Sequence, residues 1–182
     1  MNPTSASWLL GLGAACLLLA LVVTVLVLRR RRYRLDRLLR KIAWQQLRDV
    51  VVPDEVDGEI HVDLALLTQR GIVVLEIRRA AGTLFWGEQL DRWTVLDGVR
   101  RKVIENPMPG LRARRHAVHA IVPTVPVSGR VLLVGAVEIA GARPPGVLLQ
   151  DDLLAEFPAC TGQPPQNLAG AWDSLKSSVR AL

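Results

Sequence analysis

The sequence predicts an α/β domain, a small, mixed and mainly antiparallel sheet flanked by helices, placed behind one N-terminal transmembrane helix. Three observations carry this. Apolar runs of strand length, at 60–67, 72–79 and 131–140, are bounded by glycine and polar turns. Segments 33–48 and 111–121 carry their apolar residues at helical spacing. Residues 8–28, from Trp8 to Leu28, contain no charge and no proline.

Twenty-one residues at the rise of a helix span roughly 31 Å, the thickness of a bilayer's hydrocarbon core. A cleavable signal peptide is the rival, and it wants a basic n-region and a shorter apolar core. Residues 1–7 carry no basic side chain, whereas Arg29, Arg30, Arg31, Arg32 and Arg34 follow the apolar run. Arginines after the span place the N-terminus outside and the rest at the cytoplasmic face of the cell's inner membrane. Five segments are therefore expected: an extracytoplasmic stretch 1–7, the span 8–28, a basic juxtamembrane segment with an amphipathic helix at 29–48, a domain at 49–157, and a loop with a C-terminal helix at 158–182.

The 182 residues carry a formal charge of +6, which alone would suggest a nucleic-acid partner. Its location argues for lipid. Residues 29–41 hold eight of the 23 Lys and Arg against one of the 17 acids, leaving 15 basic and 16 acidic residues elsewhere. The basic block suits anionic headgroups, and the domain itself is electrically balanced. Cys16 lies in the apolar run and Cys160 in a polar segment, so neither disulfide nor zinc spacing exists.

In chain order, Leu35, Leu38, Leu39, Ile42 and Leu47 mark the amphipathic helix, which can pack on the domain or lie on headgroups. Val50 to Val52 read as a short strand ended by Pro53, followed by an acidic turn at 54–58. The runs 60–67 and 72–79, joined by Thr68-Gln69-Arg70-Gly71, read as a hairpin. A further strand pair involves Gly82 to Trp86 and Trp93 to Leu96, turning through 87–92. Asn106-Pro107-Met108-Pro109-Gly110 is read as a non-helical lead into a helix over 111–121, which Pro123 and Pro126 end. Residues 131–140 form the most apolar strand candidate. A loop at 141–146, a short helix at 151–157, a loop at 158–167 and a helix from about Ala171 complete the chain.

Two acids interrupt the hairpin's apolar runs, and they fix its register. With a four-residue connection Leu67 faces Ile72, so Asp63 falls opposite Glu76 and His61 opposite Arg78. The other face then holds Val62, Leu64, Leu66, Val73, Leu75 and Ile77, all apolar. A slip of one residue would mix the two sets. Opposed carboxylates repel unless something positive lies between them. A hard divalent cation, Mg²⁺ or Mn²⁺, is one solution, with Arg78 beside it to stabilise phosphate charge. Ion pairs with arginines on a half-solvated sheet face are the other.

Asp63 followed by Glu76-Ile77-Arg78 resembles the core of the PD-(D/E)XK nucleases. More closely, VDLALLTQRGIVVLEIRRAAGTLFW is similar to the nuclease-related domain, NERD, whose pattern is an Asp before a strand, G-[IV]-x-V-[IL]-E-x-K, a small-Gly pair, a Trp, and N-P-x-x-Q opening a helix. Here these fall at Asp63, Gly71 to Arg78, Ala81-Gly82, Trp93 and Asn106-Pro107, so the likeness runs over about 55–140. Arg78 stands at the family's lysine and Gly110 at its glutamine. The family's preceding helix often bears a glutamate, where 33–48 offers only Gln45, Gln46 and Asp36. The resemblance implies a restriction-endonuclease-like fold, Asp63 and Glu76 as metal-binding carboxylates, Arg78 in the catalytic lysine position, and Mg²⁺-dependent phosphodiester hydrolysis. Glu59, His61 and Asn106 are accessory candidates.

Around this core, His116 and His119 lie three apart on a helix without a third ligand in sequence. Arg100, Arg101, Lys102, Arg112, Arg114 and Arg115 are candidates for phosphate contacts but commonly form solvated faces. Trp86 and Trp93 can stack on bases or cover a core. Two functions are expected from different classes: a membrane-tethered, metal-dependent nuclease acting on DNA, and a scaffold that kept the fold, lost turnover and serves as a tethered binding or assembly module.

Overall fold

The computed structural model describes residues 19, 21–23, 34–53 and 58–181. The chain divides into two units, Met1–Leu39 and Arg40–Leu182. In the first, residues 19, 21–23 and 34–39 are helical, and Leu19, Leu21, Val22 and Val23 are exposed. The rest of the predicted span 8–28, the stretch 1–7 and the arginines at 29–32 lie outside the described residues. Among the described residues, no helix is long and apolar enough to cross a membrane.

The helix over 34–42 (α1) ends well before the predicted 48. Residues Gln45–Pro53 form β1 instead, antiparallel to β2 (Glu59–Thr68), with Gln45 opposite Leu67 and Pro53 opposite Glu59. Leu47 has helical spacing to Leu39, but pairing with β2 at eight of the nine β1 positions outweighs a local pattern. β2 turns through Gln69 and Arg70 into β3 (Gly71–Arg79). Their ladder runs from Thr68 opposite Gly71 to Leu64 opposite Leu75, the register that patterning predicts, with the connection shortened to two residues.

β3 is the hinge of the architecture. It pairs antiparallel with β2 and parallel with β7 (Val127–Val134), which pairs parallel with β9 (Val147–Leu149). Gly71 to Glu76 are all buried, as expected of a strand covered on both faces. A two-residue β10 (Arg180–Ala181) closes the other edge, giving the order β10-β1-β2-β3-β7-β9.

A second sheet, ordered β6-β5-β4-β8, grows from the same strands. β4 (Gly82–Phe85) and β5 (Arg92–Asp97) are the predicted pair, Thr83 opposite Leu96. β6 (Arg100–Glu105) is an edge strand whose Arg-Arg-Lys start hid it in the sequence. The predicted strand 131–140 is two strands in two sheets: β7 leaves the first at Val134, and β8 (Val137–Ile139) enters the second. β3 and β4 make the same transfer alongside. The chains stay bonded through it, Ala80 N to Val134 O at 3.2 Å and Gly82 N to Ala136 O at 2.8 Å.

Helix α2 (Pro107–Ile121) packs Leu111, Ala117 and Val118 into the core with Ala65, Leu67, Ile72 and Val74. It begins four residues earlier than predicted. Prolines at 107 and 109 remove amide hydrogens that the first turn would leave unpaired in any case. The predicted short helix appears as a 3-10 turn (Gln150–Asp152) and α3 (Leu153–Glu156). The last helix, α4 (Gln166–Ser178), starts before Ala171 and drives Trp172 into the core, where its indole donates to Gln45 Oε1 at 2.8 Å. The C-terminal segment is thus part of the same unit as the sheet.

Candidate functional site

The site lies where β2 and β3 part company. Their ladder stops at Leu64 opposite Leu75. Beyond it β2 continues on β1 to Glu59, and β3 continues on β7 to Arg79. Asp63 and Glu76, the next residues in the predicted register, therefore stand at the mouth of the split rather than in the ladder. The same holds for His61 and Arg78.

α2 closes that mouth with one side chain. Arg114 donates from Nε to the backbone oxygen of His61 on β2 at 2.7 Å, and from Nη1 to Glu76 Oε2 on β3 at 2.9 Å. A β2 carbonyl that lost β3 as a partner thus gains a guanidinium. Arg78, two residues along β3, forms an ion pair with the other Glu76 oxygen, Oε1. Glu76 itself is 1% exposed. Burial pushes its carboxyl above the ordinary range, opposed by Arg78 and then Arg114, and reinforced by the nearby charge of Asp63.

Asp63 faces a different partner. His61 Nδ1 lies 3.4 Å from Asp63 Oδ1, and its Nε2 lies 3.6 Å from Asp49 Oδ1. The β1–β2 ladder skips Asp49, the position across from Asp63, and Asp49 has a φ of 49°. That left-handed backbone is uncommon outside glycine, and aspartate is among the residues that tolerate it. Sequence reasoning missed Asp49 because it sat in the predicted helix-to-strand passage, and it weighed Arg114 only as a phosphate contact.

The other candidates go elsewhere. Glu59 is exposed, and both its oxygens accept from Arg180 on β10, at 3.1 and 3.0 Å. Asn106 is the N-cap of α2: its Oδ1 accepts from Met108 N at 3.0 Å, and its Nδ2 donates to Leu90 O at 2.9 Å. Asn106→Ala should therefore lower stability by about 1–2 kcal/mol in urea unfolding, as loss of a helix cap and a tertiary bond. An unchanged midpoint would remove this structural role. His116 and His119 line a shallow pocket of about 220 Å³ with Arg115 and Val127. Trp93 is buried in the core, edge-on to Trp86 at 6.5 Å between ring centroids.

These residues do not fit a divalent cation as they are arranged. A Mg²⁺ site needs oxygen donors with free lone pairs converging on one point. Both oxygens of Glu76 face guanidiniums, Asp63 is beside an imidazole, and Glu59 is held by Arg180. Among the described residues no three His, Cys, Asp or Glu gather into a group that could hold a metal.

The mixed sheets flanked by helices agree with the expected fold class, and they carry Asp63 on β2 and Glu76-Ile77-Arg78 on β3. No curated protein and no solved structure matches the chain. The family model described as nuclease-related domain matches residues 29–134, more than half of the 182, and on that match the chain belongs to the nuclease-related domain (NERD) family.

Proposed function

We propose that the chain is a membrane-anchored nuclease-related domain protein whose acid site rests closed by arginines, so that it engages DNA as a tethered binding module without Mg²⁺-dependent turnover. The observation that carries this is the pair of guanidiniums on Glu76, Arg78 at Oε1 and Arg114 at Oε2. With a guanidinium against each oxygen, the charge of this carboxylate is already answered, and an approaching cation meets two positive groups first. The anchor is supported by the charge-free run 8–28 and the arginines after it, which also favour anionic lipid at Arg29–Arg34, an N-terminus outside and a cytoplasmic domain. Engagement of DNA is supported by membership of a nuclease-related family and by exposed Arg100, Arg101, Lys102, Arg112 and Arg115.

A second reading, phosphodiester hydrolysis, is favoured by a different observation. Asp63 and Glu76-Ile77-Arg78 stand at an opened strand end, with Asp63 27% exposed there. Full-length protein in detergent micelles, incubated with DNA or RNA and Mg²⁺ or Mn²⁺, separates the two. Retained DNA binding with no cleavage is the expected result. Metal-dependent cleavage abolished by Asp63→Asn would establish hydrolysis instead, and loss of both binding and cleavage would remove DNA as the partner.

A further inference from the structure

Two departures from the family pattern, Arg78 for lysine and Gly110 for glutamine, meet a third feature that lies outside the motifs carrying the resemblance: Arg114. Gly110 and Arg114 lie four apart in α2, hence one above the other on the same face. A Cβ added at Gly110 would lie 2.8 Å from Arg114 Nη1, the same nitrogen that donates to Glu76 Oε2. Ordinary side-chain carbons do not approach so closely, so a residue larger than glycine would push the flexible end of Arg114 aside.

We infer that Arg114 is a built-in stand-in for a divalent cation, an autoinhibitory lock that spans β2 and β3, and that Gly110 is the vacancy that lets it seat. The geometry is that of a bridge. One nitrogen is on the His61 carbonyl, another is on the Glu76 carboxylate, and the Arg114 side chain is only 22% exposed. A fixed positive group in that place neutralises Glu76 with no ion and repels any ion that approaches. The tether is a single long side chain with four rotatable bonds, attached at the surface of a helix, so it can be withdrawn without unfolding the sheet. Arg78, on the other Glu76 oxygen, has a side chain 42% exposed and can swing into water, so substituting at position 110 or 114 should turn the Asp63–Glu76 pair into a divalent-ion site. This rests on the reading that these acids are the family's metal-binding pair.

The test is thermal unfolding of the full-length protein in detergent micelles, followed by the fluorescence of buried Trp93 and Trp172, in Mn²⁺ and in EDTA. The native chain is expected to unfold at the same temperature in both. Arg114→Gln is expected to gain about 5 °C when Mn²⁺ is tenfold above its Kd, and to lose the gain when combined with Asp63→Asn. Gly110→Ala is expected to show a gain in the same direction. It keeps every charge and improves helix propensity, so it decides the matter if Arg114→Gln does not fold. A folded variant that gains nothing from Mn²⁺, or a native chain that already gains, overturns the lock and leaves the proposed DNA engagement standing. A gain that survives Asp63→Asn overturns the acid-pair assignment and the lock together.

Discussion

Glu76→Ala is expected to cost about 3 kcal/mol of stability, measured as a fall in the urea midpoint of the full-length protein in micelles. The side chain is 1% exposed, so its removal leaves a hole beside the β3–β7 ladder. It also strands Arg114, which then holds only the His61 carbonyl. Arg78 contributes less to this sum, because a side chain 42% exposed regains water when its partner leaves. Glu76→Gln keeps the volume and an oxygen for Arg114, and should cost less than alanine. A glutamine variant as damaged as the alanine would mean that charge dominates over packing at this position.

The same residue carries a pH signature whose sign follows from its raised carboxyl. Below the ordinary glutamate value of 4.5 the group is protonated in both the folded and the unfolded chain. As pH rises from 4.5 through the higher folded value, the folded state holds the proton longer than the unfolded one. Stability falls across that window and is flat above it. The difference in unfolding free energy between native protein and Glu76→Gln should therefore drift against the native protein as pH rises from 4.5. A drift in the opposite sense would mean that the two arginines outweigh burial.

The hairpin was legible because its information is local. Four polar and six apolar residues on adjacent strands admit one register, and that register is the one observed from Leu64–Leu75 to Thr68–Gly71. The point at which the ladder stops was not legible. It depends on β1 taking over β2, and β1 begins in residues 45–48, whose leucine continues a helical pattern. The site suffered the same limit. Asp63, Glu76 and Arg78 could be named from one segment, whereas Arg114 arrives from 38 residues beyond Glu76, and a helix face gives no sign of what stands opposite it. β6 was missed because an edge strand facing water carries the charges of a loop. The split of 131–140 was missed because Gly135 in an apolar run reads as a strand residue until its backbone neighbour is known.

Gly135→Ala is expected to be among the most damaging single-methyl additions in the chain, lowering stability by about 3 kcal/mol. Gly135 sits between β7 and β8 with a φ of 133°, and a Cβ there would lie 2.0 Å from the carbonyl oxygen of Ala80. That oxygen belongs to backbone, on the neighbouring strand as it too crosses between sheets, and it cannot swing aside. Relief requires the two crossings to separate, which breaks the bonds from Ala80 N to Val134 O and from Gly82 N to Ala136 O. Amide exchange should therefore accelerate first in β4 and β8, before the β2–β3 hairpin responds. Gly141→Ala supplies the control: its φ is 77°, yet nothing lies within 4 Å of an added Cβ. It should cost only the left-handed backbone penalty of about 1–2 kcal/mol. The excess of position 135 over position 141 measures the close approach together with the less tolerated φ at 135, and equal costs at the two sites would mean that β7 and β8 pass from sheet to sheet without the contact that the second sheet is hung on.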